Sequence, residues 1–255
     1  VKPYYEDGGV TLYQGDALAV LASLPDASVD AIVTDPPYSS GGAYRGDRMS
    51  DPTQKYVPTK EVVNFHPGFT GDNRDQRSFG YWCALWLGEC RRVAKPGAPL
   101  VVFTDWRQLP TVSDVVQAGG WVWRGIAVWD KTPGIRPSRG RFRQQAEFLV
   151  WGSNGPMPVE RGVSDLDGVF CFAPFQGKLH IAGKPEPLMR SILDICETGG
   201  VVLDPFAGSG TTLKAAADTG RRAIGIEMDA HWCEVIAGRL ATRTAALPLF
   251  EEAAG

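Results

Sequence analysis

"VVLDPFAGSGTTLKAAADTGRRAIGIE", Val201 to Glu227, reads as an apolar strand, a glycine loop, an alanine-rich helix and a second strand that closes on an acid. A strand that turns directly into a helix through Gly208 and Gly210 marks the edge of a parallel sheet, where a missing Cβ lets a ligand approach the backbone. An ordinary tight strand-to-helix turn uses the same glycines. Glu227 follows the loop by about 20 residues, the place from which an acid holds ribose hydroxyls.

The loop also excludes ligands. No Lys follows the glycines, so the phosphate cradle of a nucleoside triphosphate is missing. "GSGTT" carries two of the three glycines of a dinucleotide fingerprint. An adenosine without a pyrophosphate suits it better, and S-adenosylmethionine is such a ligand.

Working outward, strands alternate with helices. "VTLYQGD" (Val10–Asp16), "ALAVLASLPD" and "VDAIVTD" (Val29–Asp35) form a β-α-β unit whose helix is closed by Pro25. "FGYWCALWLGECRRVAKPG" (Phe79–Gly97) has helical spacing and basic residues at its end, and "APLVVFTD" follows as a buried strand. "LPTVSDVVQAGG" is a helix, and "KPEPLMRSILDICETGG" another with a glycine stop. "WVWRGIAVWDK" and "AEFLVWGSNG" are strands with no helix between them, so they should pair antiparallel. The expected fold is α/β and Rossmann-like, a mostly parallel twisted sheet with helices on both faces and this hairpin. A single domain over 1–255 is expected, with a loop or lid at 39–78, too long for an ordinary connection.

Composition narrows the rest. The chain of 255 residues is 44% hydrophobic with a formal charge of −3, so any nucleic-acid contact must come from a local patch. Its five cysteines form no CxxC pair, which argues against a disulfide framework and a zinc site; no metal is expected. The opening "VKPYYEDGG" has no apolar leader core, and no apolar run is long enough to span a bilayer, so a cytoplasmic location and no membrane are expected.

The strand "VDAIVTD" ends in "DPPY", Asp35 to Tyr38. A polar turn with prolines at permissive positions would account for part of it. Chemistry accounts for all four residues. An exocyclic aromatic amine is a poor nucleophile because its lone pair is delocalised into the ring. The Asp35 carboxylate and the Pro36 carbonyl can accept its two N–H groups, Pro36 and Pro37 stiffen the frame, and Tyr38 offers a face for an extruded base.

"TDPPY" followed by "DPFAGSGTT" resembles the amino-methylating, site-specific DNA methyltransferases acting on adenine N6 or cytosine N4, and the order of the two motifs is similar to the circularly permuted β-class arrangement. "EFLVWGSNG" and "HIAGKPEPLMRSIL" resemble further segments of that family, with HIAGKP replacing the middle of its HPTQKP-like stretch. The resemblance implies S-adenosylmethionine as cofactor, contacted by Asp35, His180, Lys184, Asp204, Phe206, Gly208, Gly210, Thr211 and Glu227, with Asp35, Pro36, Pro37 and Tyr38 catalytic. It places Asp16 near the cofactor too; a helix N-cap is the other reading of that residue. His180 reads equally as a loop histidine, and Lys184 as a surface charge.

Double-stranded DNA is the implied partner, and a homodimer is left open. "DKTPGIRPSRGRFRQQ" sets Lys131, Arg136, Arg139, Arg141 and Arg143 against one acid, Asp130, so the 131–145 loop is read as the DNA contact rather than as a solvated surface loop. A small target-recognition segment is placed at 152–179. Adenine N6 is the first choice of target, because the family's cytosine-N4 enzymes more often show Ser where Asp35 stands. Cytosine N4, an RNA or protein-glutamine substrate, and an idle DNA-binding module are the competing readings.

Overall fold

The computed structural model describes residues 1–39, 74–132, 140–163, 165–174 and 183–246. Among them, nine strands form one sheet: β1 (Tyr5–Asp7), β2 (Val10–Gln14), β3 (Ala31–Thr34), β4 (Pro99–Thr104), β5 (Val122–Asp130), β6 (Ala146–Ser153), β7 (Val169–Cys171), β8 (Val201–Asp204) and β9 (Arg222–Glu227). Their order across the sheet is β1-β2-β9-β8-β3-β4-β6-β5-β7. From β2 to β4 every neighbour is parallel, whereas β4–β6 and β5–β6 are antiparallel. The expected α/β, mostly parallel sheet with a hairpin is therefore the observed one.

The described helices are α1 (Ala17–Leu21), α2 (Gln76–Val93), α3 (Leu109–Ala118), α4 (Glu186–Leu193), α5 (Thr211–Asp218) and α6 (Ala230–Ala246). Strand pleat divides them between the two faces. Ala31, Val33, Val101 and Phe103 pack with α4, α5 and α6, while Ile32, Leu100 and Val102 pack with α1, α2 and α3. Because both faces are covered, the central strands are apolar along their whole length rather than alternating.

Two strands and two helix ends differ from the sequence reading. β1, an antiparallel partner of β2, and β7, beside β5, are three-residue edge strands too short to show a period. α1 stops at Leu21, short of Pro25. The Arg92 guanidinium donates to the carbonyls of Leu21 at 2.7 Å and Leu24 at 2.9 Å, satisfying acceptors that a longer helix would have used itself. α2 begins at Gln76, before Phe79, since Asp75 caps it by accepting the backbone N–H groups of Arg77 and Ser78, each at 3.0 Å.

Topology fixes which residues meet. The parallel strands β2, β9, β8, β3 and β4 all finish at one sheet edge, bringing Gly15, Glu227, Asp204, Asp35 and Asp105 there. β6 runs the other way, with Phe148 opposite Thr104, so it begins at that edge. β5 ends opposite the start of β6, Asp130 facing Ala146, which puts Lys131 there too. No described helix is long and apolar enough to cross a membrane.

Candidate active site

At this edge the DPPY strand is tied to the glycine-loop strand. Thr34 Oγ1 donates to Asp204 Oδ1 at 2.7 Å, and the same oxygen accepts the Phe206 N–H at 3.1 Å. Both Thr34 and Asp204 are buried. Burial pushes the Asp204 carboxyl up to about 6, while bonds from Thr212, Thr34 and Phe206 pull against the rise.

The glycine loop has the conformation its residues suggest. Gly208 and Gly210 adopt φ of +53° and +77°. A Cβ on Gly210 would lie 2.9 Å from Ile236 Cγ1, whereas one on Gly208 would meet nothing within 4 Å. Gly210 is required by packing; Gly208 faces open space and leaves the backbone accessible. Gly210 caps α5, of which Thr211 is the first residue. Glu227 holds the loop: its Oε2 accepts the Gly208 N–H at 2.8 Å and its Oε1 accepts that of Asp229 at 2.9 Å. Burial raises the Glu227 carboxyl above its ordinary value.

Asp16 comes to the same sheet edge as Glu227, since the N–H of its neighbour Gly15 donates to the Glu227 carbonyl at 2.9 Å. It is the N-cap of α1, its Oδ1 accepting Ala19 N–H at 3.1 Å. Phe206 packs against two indoles that also touch each other, with ring centroids 5.3 Å from Trp82 and 5.1 Å from Trp86. The Arg74 guanidinium lies 4.3 Å above Trp82. Backbone that approaches a ligand at Gly208, a carboxylate at Glu227 and an aromatic wall at Phe206 together fit an adenosine-bearing cofactor.

Asp35, immediately after β3, stands in a buried cluster of charges. Tyr38 Oη donates to its Oδ1 at 2.5 Å, and Lys184 Nζ lies 2.5 Å from its Oδ2. Glu147 approaches from β6, 3.2 Å from Lys184 Nζ and accepting a longer bond from Tyr38 Oη at 3.4 Å. Lys131, at the end of β5, pairs with the other Glu147 oxygen. Lys184 also lies 5.0 Å above the Phe103 ring.

These neighbours set the protonation states. Burial disfavours the Lys184 ammonium, but Asp35 and Glu147 outweigh it and raise its pKa. Burial likewise opposes a charged Glu147, yet Lys184 and Lys131 together bring it down to about 2. Asp35 goes the other way: burial lifts it above the usual carboxylate range against the pull of Lys184, with Glu147 adding to the rise. Burial and the carboxylates of Asp35 and Glu147 hold Tyr38 well above its ordinary value. Lys184 thus holds its charge more firmly, and Asp35 keeps its proton more readily than Glu147 does.

Several expected positions meet here: Asp35, Tyr38 and Lys184 in one cluster, and Asp204, Phe206, Gly208, Gly210, Thr211, Glu227 and Asp16 around the loop. Pro36 and Pro37 follow Asp35 in trans peptides. Of the basic loop, Arg141 and Arg143 are exposed, while Lys131 points inward to Glu147. His180, Arg136, Arg139 and residues 40–73 of the expected lid lie outside the described residues. The sequence reading passed over Glu147, an acid two residues into an apolar strand, and Phe142, which is 96% exposed between Arg141 and Arg143. Both carried a signal, since an acid in a buried strand and a bare aromatic among arginines each break the local pattern.

The DNA methylase family profile matches residues 29–164 and 156–238. The type II methyltransferase M.ScaI of Streptomyces caespitosus is 25% identical over 94% of this chain and 84% of its own length. The M1.HpyAVI–SAM complex superposes with a TM-score of 0.63 at 24% identity, covering 91% of this chain and 98% of that one. The cytosine-N4-specific PvuII DNA methyltransferase gives a TM-score of 0.71 at 19% identity over 93% of this chain and 88% of its own. With the profile running from β3 into α6, through both the DPPY strand and the glycine loop, the chain belongs to the N6/N4 DNA methylase family.

Proposed function

We propose that the protein transfers a methyl group from S-adenosylmethionine to the N6 amine of an adenine rotated out of duplex DNA. The observation that carries this reading is the Thr34–Asp204 bond, which sets the DPPY strand beside the glycine loop. Membership of the N6/N4 DNA methylase family and the cofactor-bound relative support the choice of donor.

When bound, the cofactor would supply an activated methyl group: the amine nitrogen would form the new N–C bond as the donor C–S bond breaks to a neutral thioether, with one amine proton lost to solvent. Glu227 holds the ribose, the backbone at Gly208 and Gly210 accommodates the adenosine, and Phe206 walls it, with Asp16, His180, Lys184, Asp204 and Thr211 around it. The base enters against Tyr38. Asp35 accepts one N–H of the amine and the Pro36 carbonyl the other, turning the nitrogen lone pair out of conjugation and towards the methyl group. Pro36 and Pro37 fix the frame in which that carbonyl points.

Arg141 and Arg143 neutralise phosphates, and Phe142 between them enters the stack as the target base leaves it. Lys131, Arg136 and Arg139 extend the same loop, residues 39–78 cover the base, and residues 152–179 read the target sequence. The acid at position 35, where the family's cytosine-N4 enzymes more often carry Ser, favours adenine; the cytosine-N4 fold neighbour keeps cytosine as the second reading.

Incubation with methyl-labelled S-adenosylmethionine and unmethylated DNA, followed by digestion to nucleosides, tests the proposal. Label in N6-methyladenosine is expected. Label in N4-methylcytosine would correct the base, and label in no nucleoside would overturn the proposal.

A further inference from the structure

An incoming amine meets an Asp35 carboxylate that already accepts on both oxygens, from Tyr38 Oη on one and Lys184 Nζ on the other, each at 2.5 Å, so it must take a second lone pair on an oxygen already bound to a short donor. An ammonium drains electron density from the acceptor that the amine needs. Moving Lys184 away would strand a buried cation, and its side chain is only 7% exposed, so water offers little compensation. A second carboxylate within reach removes the obstacle.

Glu147 is that carboxylate. Its Oε2 already lies 3.2 Å from Lys184 Nζ and 3.4 Å from Tyr38 Oη, so the two groups that occupy Asp35 share one alternative acceptor. An ammonium has three donors and can pass between two acceptors by a shift smaller than a hydrogen-bond length. Lys131 holds the other oxygen of Glu147, leaving two cations and two carboxylates in balance before and after the exchange. The start of β6 and the end of β5 are locked by the pairing of Asp130 with Ala146, so this acceptor stands on rigid elements.

We propose that Glu147 is a positioning residue that takes Lys184 and Tyr38 from Asp35 as the base amine arrives, freeing the Asp35 carboxylate to accept the amine N–H. This rests on the role given to Asp35 above. Glu147 is held ionised far below neutrality by its two lysines, so it is available throughout the working range. The groups acting on Asp35 are Lys184, Glu147 and Tyr38 within the cluster and Asp204 on the neighbouring strand; Lys131 acts on Glu147 and Asp105 on Tyr38.

Glu147→Gln keeps shape and removes the charge. Single-turnover methyl transfer at saturating S-adenosylmethionine and DNA, measured across pH, is expected to reach a plateau lowered about ten- to a hundredfold. Its acid limb should move to lower pH, because Asp35 loses a repelling neighbour and keeps Lys184 to itself. A purely structural role would lower the plateau without moving the limb, and that result, or a plateau equal to wild type, would overturn the proposal. Glu147→Asp, which retains the charge on a shorter stem, should return the limb towards wild type with an intermediate plateau. Should the Gln variant fail to fold, the Asp variant decides: a lowered plateau supports the exchange, and an unchanged one overturns it. Asp35→Ala in the same assay separates the two readings. If that variant turns over normally, the role of Asp35 falls and this inference with it; if it is inactive while Glu147→Gln is normal, only the inference falls.

Discussion

Thr34 Oγ1 and Asp204 Oδ1 lie 2.7 Å apart although 170 residues separate them in sequence. The bond joins β3 and β8 where each gives way to its loop, so the DPPY turn and the glycine loop cannot move independently without leaving a buried donor or a buried carboxylate unsatisfied. Such a loss costs about 1–3 kcal/mol, more for a charged group.

The buried carboxylate in that bond makes stability depend on pH. Asp204 titrates at about 6 in the fold against an ordinary value of 3.8, so the folded state keeps its proton to higher pH than the unfolded chain. The sign follows: this group favours the fold below its unfolded value, and that contribution is lost as pH rises through the folded one. Asp204→Asn keeps an Oδ1 acceptor for Thr34 and Phe206 and does not titrate. Between pH 4 and 7 its stability relative to wild type should rise by up to about 3 kcal/mol. Urea denaturation at both pH values measures this, and a constant difference would show that Asp204 is not the group responsible.

Asp35→Ala should abolish methyl transfer, by about a thousandfold or more if the amine relies on that acceptor. The substitution also removes the 2.5 Å carboxylate partner of Lys184 while its contacts with Glu147 and Tyr38 Oη remain, so cofactor affinity is expected to weaken rather than vanish. Rapid-quench transfer and equilibrium cofactor binding on the same preparation separate the effects. Wild-type turnover would remove Asp35 from the reaction.

Much of this architecture was legible because its signals are local. A buried parallel strand is a short apolar run, a strand that ends on an acid marks the ligand edge, and Val201–Glu227 carries both signals twice, at Asp204 and at Glu227. β1 and β7 escaped because three residues cannot show a period. Lys131 shows another limit: four arginines follow it between residues 136 and 143, so it reads as the start of a phosphate-binding run, and the β5–β6 register also sets it against Glu147. Partnership across a sheet is invisible to spacing along a chain. The same limit hid the role of Glu147, whose partners come from three distant segments.

The two loop glycines should fail differently. Ala at either position is strained by about 1–2 kcal/mol, since φ is +53° at Gly208 and +77° at Gly210. Gly210→Ala also drives its methyl to 2.9 Å from Ile236, so it should lose the greater stability. Gly208→Ala meets nothing within 4 Å and should remain folded, while its methyl enters the space through which a ligand reaches the backbone. Thermal unfolding with and without S-adenosylmethionine distinguishes them: cofactor stabilisation should be reduced in a folded Gly210→Ala and largely lost in Gly208→Ala. The reverse pattern would move the cofactor away from Gly208.

Arg141 and Phe142 should also separate, although they are adjacent. Arg141 acts through phosphate charge, so Arg141→Ala should weaken DNA binding on every sequence and reduce the slope of log affinity against log salt by about 0.9 for each phosphate the arginine neutralises. Phe142, 96% exposed in the absence of DNA, has no charge to lose, and Phe142→Ala should leave that slope alone. Its effect should appear when the target base leaves the helix, where an inserted ring replaces the missing stacking. Extrusion costs a few kcal/mol from a matched pair and less from a mismatched one. Phe142→Ala should therefore slow single-turnover methylation by about tenfold on a matched target and much less when the target base is mispaired. An equal deficit on both duplexes would mean that Phe142 contributes to docking and not to extrusion.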